Sequence, residues 1–178
     1  MIFRGRAPET TVWQHFRSGV EGFVFSQHDD GTYEAHVSAN AERAVDLLYT
    51  LTEQLPPAVD VVLDDRRAAR AWTGKDIALP DIRDAIARMK FPLGTYGGIE
   101  ITLYSPDDQL TLTPQLELYA YSRSDRWLYL LQSQGLNDYS TSLPTHWGGR
   151  GQPWDRHSSP ILSDAIEGAA RRLALRPL

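Results

Sequence analysis

A chain of 178 residues with 42% hydrophobic and 23% charged residues has the size and composition of one folded domain and lacks the charge imbalance of a disordered one. Its 18 Lys+Arg against 23 Asp+Glu leave a net charge of -5, which argues against nucleic acid as a partner, because phosphate backbones require a clustered basic surface. The absence of cysteine excludes a disulfide framework, a cysteine nucleophile and thiolate metal ligands, and fits a reducing, cytoplasmic setting.

Met1 to Pro8 carry Arg4 and Arg6, but no apolar run follows, so no signal peptide is read there. No stretch approaches the ~20 apolar residues of a membrane helix, and no membrane contact is expected. Residues 10–18 fit a short helix with Val12, Trp13 and Phe16 on one side and Gly19 after it. Residues 23–38 fit a hairpin whose register follows from its faces. A three-residue loop, Asp29-Asp30-Gly31, places His28 opposite Thr32 and supplies a glycine for the left-handed position. Phe23, Phe25, Tyr33, Ala35 and Val37 then share one face; Val24, Ser26, His28, Thr32, Glu34 and His36 share the other. A two-residue loop would mix apolar and polar side chains on both faces.

Residues 40–55 have the clearest helical spacing. Asn40 suits an N-cap, Ala41, Ala44, Val45, Leu48, Leu51 and Leu55 line one side, and Pro56-Pro57 stops the run. Residues 58–64 read as a short apolar strand, central in the sheet. A second helix is expected from about Pro80 to Lys90, burying Ile82, Ala85, Ile86 and Met89. Residues 98–105 alternate with Ile99, Ile101 and Leu103 inward, and a turn follows at Pro106 to Gln109. Residues 110–122 keep the alternation through Leu110, Leu112, Leu116, Leu118 and Ala120, with Pro114 predicting an edge position or a bulge. Residues 126–133 are expected to return as a strand and residues 135–159 to form a long irregular segment. A last helix over about 160–175 should bury Ile161, Leu162, Ala165, Ile166, Ala169 and Leu173. The order ββαβαβββα predicts one α+β domain over residues 1–178, with a mixed, largely antiparallel sheet and the helices mainly on one face.

Four groupings invite a chemical reading. The hairpin gathers His28, Asp29, Asp30, Glu34 and His36, but its register separates the two histidines by roughly 13 Å, too far for one ion with bonds of ~2 Å. A solvated polar face is the expectation there. Asp64 and Asp65 close the apolar strand, where acids can hold Mg²⁺, yet Arg66, Arg67 and Arg70 follow at once and suit local ion pairing. Gly94, Gly97 and Gly98 match no dinucleotide or phosphate-loop spacing, and G-x-S-x-G, H-E-x-x-H and EF-hand patterns are absent. No metal or cofactor is expected.

Segment 143–157 concentrates His146, Trp147, Arg150, Trp154, Arg156 and His157 among glycines and prolines. Long loops of this kind are often functional, and Trp and Arg are enriched at binding hot spots. In the expected last hairpin, with Ser122 opposite Arg126, Tyr119, Tyr121, Trp127 and Tyr129 share an outer face beside Leu131. Either segment 135–159 covers that face or another protein does. The binding residues read from the sequence are therefore Tyr119, Tyr121, Trp127, Tyr129, His146, Trp147, Arg150, Trp154 and Arg156. The expected function is a non-enzymatic protein-interaction domain, such as an adaptor, an assembly or secretion accessory, or an immunity-type inhibitor. It would bind another protein or a second copy of itself through the aromatic face. The alternative is a small hydrolase-like enzyme or ligand-sensing domain using loop 143–157, with His146 or His157 beside Asp155.

Overall fold

The need to hide Phe23, Ala35 and Val37 from water sets the first hairpin. In the computed structural model, which describes residues 20–145, 147 and 159–178, β1 (Gly22–Gln27) and β2 (Tyr33–Ser38) pair antiparallel with Phe23 opposite Val37 and Phe25 opposite Ala35. The His28 N–H donates to the Thr32 carbonyl at 2.8 Å, and Gly31 takes the positive φ of 83° that a three-residue loop demands. Both match the register expected from the hydrophobic faces.

The chain continues with α1 (Ala41–Leu51), a 3-10 turn (Thr52–Gln54), β3 (Ala58–Asp65), β4 (Arg70–Ala78) and α2 (Leu79–Tyr96). It then forms β5 (Ile99–Tyr104), β6 (Asp108–Leu112), β7 (Leu118–Ser122), α3 (Arg126–Ser133), β8 (Asn137–Asp138), α4 (Pro160–Arg172) and β9 (Arg176–Pro177). One nine-stranded sheet links the described strands in the order β8-β1-β2-β7-β6-β5-β3-β4-β9, antiparallel throughout except at the β1–β8 edge. The architecture is α+β, mixed and largely antiparallel. Val61, Leu63, Ile101, Leu103, Leu110 and Leu118 point to one face and are buried there with Leu48, Ile86 and Ile166 from the helices. α2 packs against both α1 and α4, so these three helices form one layer on that face.

Several elements depart from the sequence expectation. Residues 110–122 are two strands, not one. β6 and β7 pair with Leu112 opposite Leu118 and Leu110 opposite Ala120, and Pro114 sits in the loop between them. That loop has Leu116 at a φ of 61° and a Leu116 N–H bond to the Thr113 carbonyl at 2.9 Å. Its five residues preserve the inward parity of Leu112 and Leu118, so simple alternation passes across the turn unnoticed. Residues 126–133 are the helix α3 instead of a strand. Trp127 and Leu131, spaced as i and i+4, are both 0% exposed, and the Trp127 indole N–H donates to the Tyr121 carbonyl at 3.0 Å. A run as apolar as this one suits either period, and burial on one helical side decides.

Strand β4 had no counterpart in the sequence reading. It contains no fully buried residue and carries Gly74, Lys75 and Asp76, so it lacks the apolar signature of a strand. Helix α2 runs beyond Lys90, through Pro92, to Tyr96, where Gly97 and Gly98 end it at positive φ. Asn40 precedes α1 as expected, but its side chain makes no capping bond; its carbonyl accepts the Ala44 N–H at 2.8 Å. Ile161, expected in the core, is 51% exposed on α4.

Asp65 closes β3 as a buried carboxylate. Arg67 holds it with Nε on Oδ1 and Nη2 on Oδ2, each at 3.0 Å, and the Arg67 backbone N–H adds a bond at 3.1 Å. Arg70 links this pair to Glu167 of α4 at 2.6 Å. The ion-paired turn is the outcome for these acids and arginines, and it ties the last helix to the sheet.

Leu48→Ala is expected to lower the free energy of denaturant unfolding by about 2–5 kcal/mol, because its side chain is fully enclosed above the sheet. Tyr129→Ala, on the exposed side of α3, should cost less than about 0.5 kcal/mol. Equal losses at the two positions would contradict the facing of both helices.

Candidate functional site

The described helices cover one face of the sheet, and on the other the strand side chains meet Tyr139 and Trp147 of the segment after β8. Cross-strand pairing lays the outward residues of five strands in two rows. The first runs Val24, His36, Tyr119, Thr111, Thr102; the second runs Ser26, Glu34, Tyr121, Gln109, Tyr104. Apart from the exposed Ser26, all of these are half-buried. Each ring and polar group is thus held by its strand register, a firmer support than a loop offers.

His36 is the centre of the aromatic part. Its ring stacks on Tyr119 with centroids 4.4 Å apart and planes 3° apart, and Trp147 meets it edge-on at 5.2 Å. Tyr119 and Tyr121 lie near-parallel at 6.3 Å, and Tyr139 sits 5.8 Å from Trp147. The segment carrying Tyr139 is laced along β1: the Tyr139 N–H donates to the Phe23 carbonyl at 2.8 Å, and the Phe25 N–H donates to Ser140 Oγ at 2.9 Å. Gly22 makes this close approach possible, since a Cβ there would overlap the Tyr139 ring.

Two carboxylates border the rings. Glu117 Oε1 lies 3.4 Å from His36 Nε2, within ion-pair range but without hydrogen-bond alignment, and both atoms are otherwise buried without a partner. Glu34 Oε2 lies 3.0 Å from His28 Nε2. The acids raise the cost of ionising the tyrosines. Burial, reinforced by Glu117, Tyr121 and Glu34, pushes the Tyr119 phenol up to about 12. Burial and Glu34 push the Tyr121 phenol up as well. Chemically, the arrangement is a platform of aromatic faces edged by two carboxylates, each beside an imidazole.

The structure divides the residues singled out in the sequence. Tyr119 and Tyr121 lie together on the open face, and Trp147 reaches it. Trp127 does not: it is enclosed in the core on the helix side, because 126–133 is helical. Tyr129 is 61% exposed on α3, away from the sheet. His146, Arg150, Trp154 and Arg156 lie outside the described residues. Two residues of the site escaped the sequence reading, Glu117 and Tyr139, and His36, weighed there as part of a solvated polar face, meets Glu117 only when β2 pairs with β7. The one available signal was the outward placement of His36 beside Glu34 in the hairpin register. His28 and His36 share that face as expected, and each answers to its own carboxylate.

Comparison of the chain with protein-family models, with curated proteins and with solved structures finds no match. The site has to be read from its own chemistry.

The raised phenol of Tyr119 yields a pH test. Its folded pKa of about 12 lies above the ordinary value of 10.0, so between these limits the native state keeps a proton that the unfolded chain has released. The stabilisation is complete below pH 10.0 and is lost as pH rises toward 12. A titration of phenolate absorbance should show a late step that is missing in Tyr119→Phe and moved to lower pH in Glu117→Gln. Tyr119→Phe should also lose less stability than the parent over that pH interval.

Proposed function

We propose that this chain is a non-enzymatic protein-interaction domain that docks its partner on the open sheet face, with Tyr119, Tyr121 and Trp147 as the contact aromatics. The observation that carries this reading is the half-buried row of stacked rings on a rigid sheet whose other face the helix layer seals. Rings held in place by strand pairing lose little further freedom on binding, and they offer large contact area. An adaptor, an assembly factor or an immunity-type inhibitor would each use such a surface. No described helix is long and apolar enough to cross a membrane.

The His36–Glu117 pair favours a second reading, in which the edge of the platform under Trp147 holds a small ligand and the domain acts as a sensor. Such a ligand would bind at His36, whereas a protein partner would also need Tyr121, farther along β7.

The double change Tyr119→Ser with Tyr121→Ser tests the docking reading. It should cost less than about 2 kcal/mol of stability, since it removes cross-strand pairs and leaves the core intact. It should weaken co-purification of the cellular partner by about tenfold or more. Phe91→Ser, at a side chain 74% exposed on the helix layer, should leave association unchanged. Loss of association in Phe91→Ser alone would place the interface on the wrong side of the sheet.

A further inference from the structure

Among the described residues, the aromatic half of the open face carries charge of one sign, whereas β4 at the far side of the sheet carries Arg70 and Lys75. β1, β2, β3, β5, β6 and β7 contain no lysine or arginine. Carboxylates do stand outward from them: Glu34 on β2, Asp60 and Asp64 on β3, Glu100 on β5, and Glu117 at the start of β7. Arg66 folds back onto two of these, 3.1 Å from Asp64 and 3.2 Å from Glu100. Arg176 stands opposite Thr73 at the far edge. That leaves the aromatic half with Glu34 and Glu117, whose described partners are the imidazoles of His28 and His36. Burial above all raises the phenols of Tyr119 and Tyr121, and the neighbouring carboxylates add to it, Glu117 and Glu34 at Tyr119 and Glu34 at Tyr121.

Resting on the docking reading, we infer that the partner presents an arginine-bearing, cationic segment to this face. Guanidinium planes stack on the Tyr119 and Tyr121 rings while Glu34 accepts their N–H groups and Glu117, buried beneath, adds its charge. An arginine satisfies both features at once, because its planar cation pairs with carboxylates and also lies flat on aromatic faces. A second copy of this chain does not fit, since two such faces would bring five outward carboxylates against five with no cationic strand residue between β1 and β3 to meet them. An apolar segment does not fit either, because it would strip water from Glu34 and return no charge.

The test titrates the isotope-labelled full chain with hexa-arginine, hexa-lysine and hexa-glutamate at ~20 mM salt, where charge pairing is little screened, and follows the amide NMR spectrum. Hexa-arginine should shift amides of β2, β6 and β7. It should bind about threefold more tightly than hexa-lysine, which lacks the stacking plane, and hexa-glutamate should not bind. Combining Glu34→Gln with Glu117→Gln should weaken hexa-arginine by about tenfold, while Asp81→Asn on α2 should change nothing. Shifts on the helix layer, or undiminished affinity in the double variant, would overturn the inference. Should Glu117→Gln lose the native spectrum, Glu34→Gln and the parent's salt series decide, and affinity unchanged up to ~200 mM salt would count against the inference. Self-association through this face at low salt would also overturn it. A chain that loses its cellular partner on Tyr119→Ser with Tyr121→Ser, yet ignores hexa-arginine, keeps the docking reading and loses this one. Binding of hexa-arginine with association untouched by that double change sinks the docking reading, and the cationic partner with it.

Discussion

Tyr33–Ser38 and Leu118–Ser122 are brought side by side across a stretch of chain that holds α1, β3, β4, α2, β5 and β6. This β2–β7 pairing joins the N-terminal hairpin to the rest of the sheet, and both faces depend on it. Closing so long a loop costs conformational entropy, which must be offset by contacts that exist only afterwards. On the helix side these are Ala35 against Ala120 and Val37 against Leu118, all buried. On the open side they are His36 stacked on Tyr119 and Glu34 beside Tyr121. One backbone ladder therefore completes the core and assembles the candidate site.

The two faces are stabilised by different physics. The helix face is dry and apolar; the polar group it encloses at the end of β3, Asp65, is held by two guanidinium bonds and a backbone N–H. Such a cluster is costly to break because a buried charge would be left without a partner. It also connects through Arg70 to Glu167, so α4 is fastened to the strand turn by charge as well as by Leu162 and Ile166. The open face keeps Glu34 half-exposed, Glu117 buried beside His36, and its rings half-covered. Its order comes from strand register and from the extended segment along β1 that brings Tyr139 and Trp147 over the sheet.

The edges of the sheet show a complementary economy. β8 and β9 are each two residues long, and β4 carries a register break with Asp76 at a φ of 52°. Short edge strands and a bulge give a second sheet little backbone to add to, so the flat side-chain face is the surface better suited to a partner.

The N-terminal hairpin and α1 were legible because their signals are local. Alternation about Asp29-Asp30-Gly31 admits one register that keeps the apolar residues together, and the spacing of Ala41 to Leu51 has a single helical reading. The turn at Pro114 and helix α3 were not legible: a five-residue loop leaves the parity of Leu112 and Leu118 unchanged, and an apolar run containing Trp127 and Leu131 satisfies both periods until burial selects one. Strand β4 was hidden because its residues are recruited by pairing with β3 and show little burial of their own. For the candidate site, alternation alone puts His36 and Glu34 on the polar side of β2, and Tyr119 and Tyr121 on the outer side of β7. The β2–β7 pairing is what joins these two sides into one surface, with Glu117 and Trp147 at its border, while the folding of 126–133 as a helix withdraws Trp127 into the core. The physical reason is that hydrophobic periodicity orients each strand toward water or core, whereas the neighbour of each strand is chosen by contacts between residues far apart in the chain.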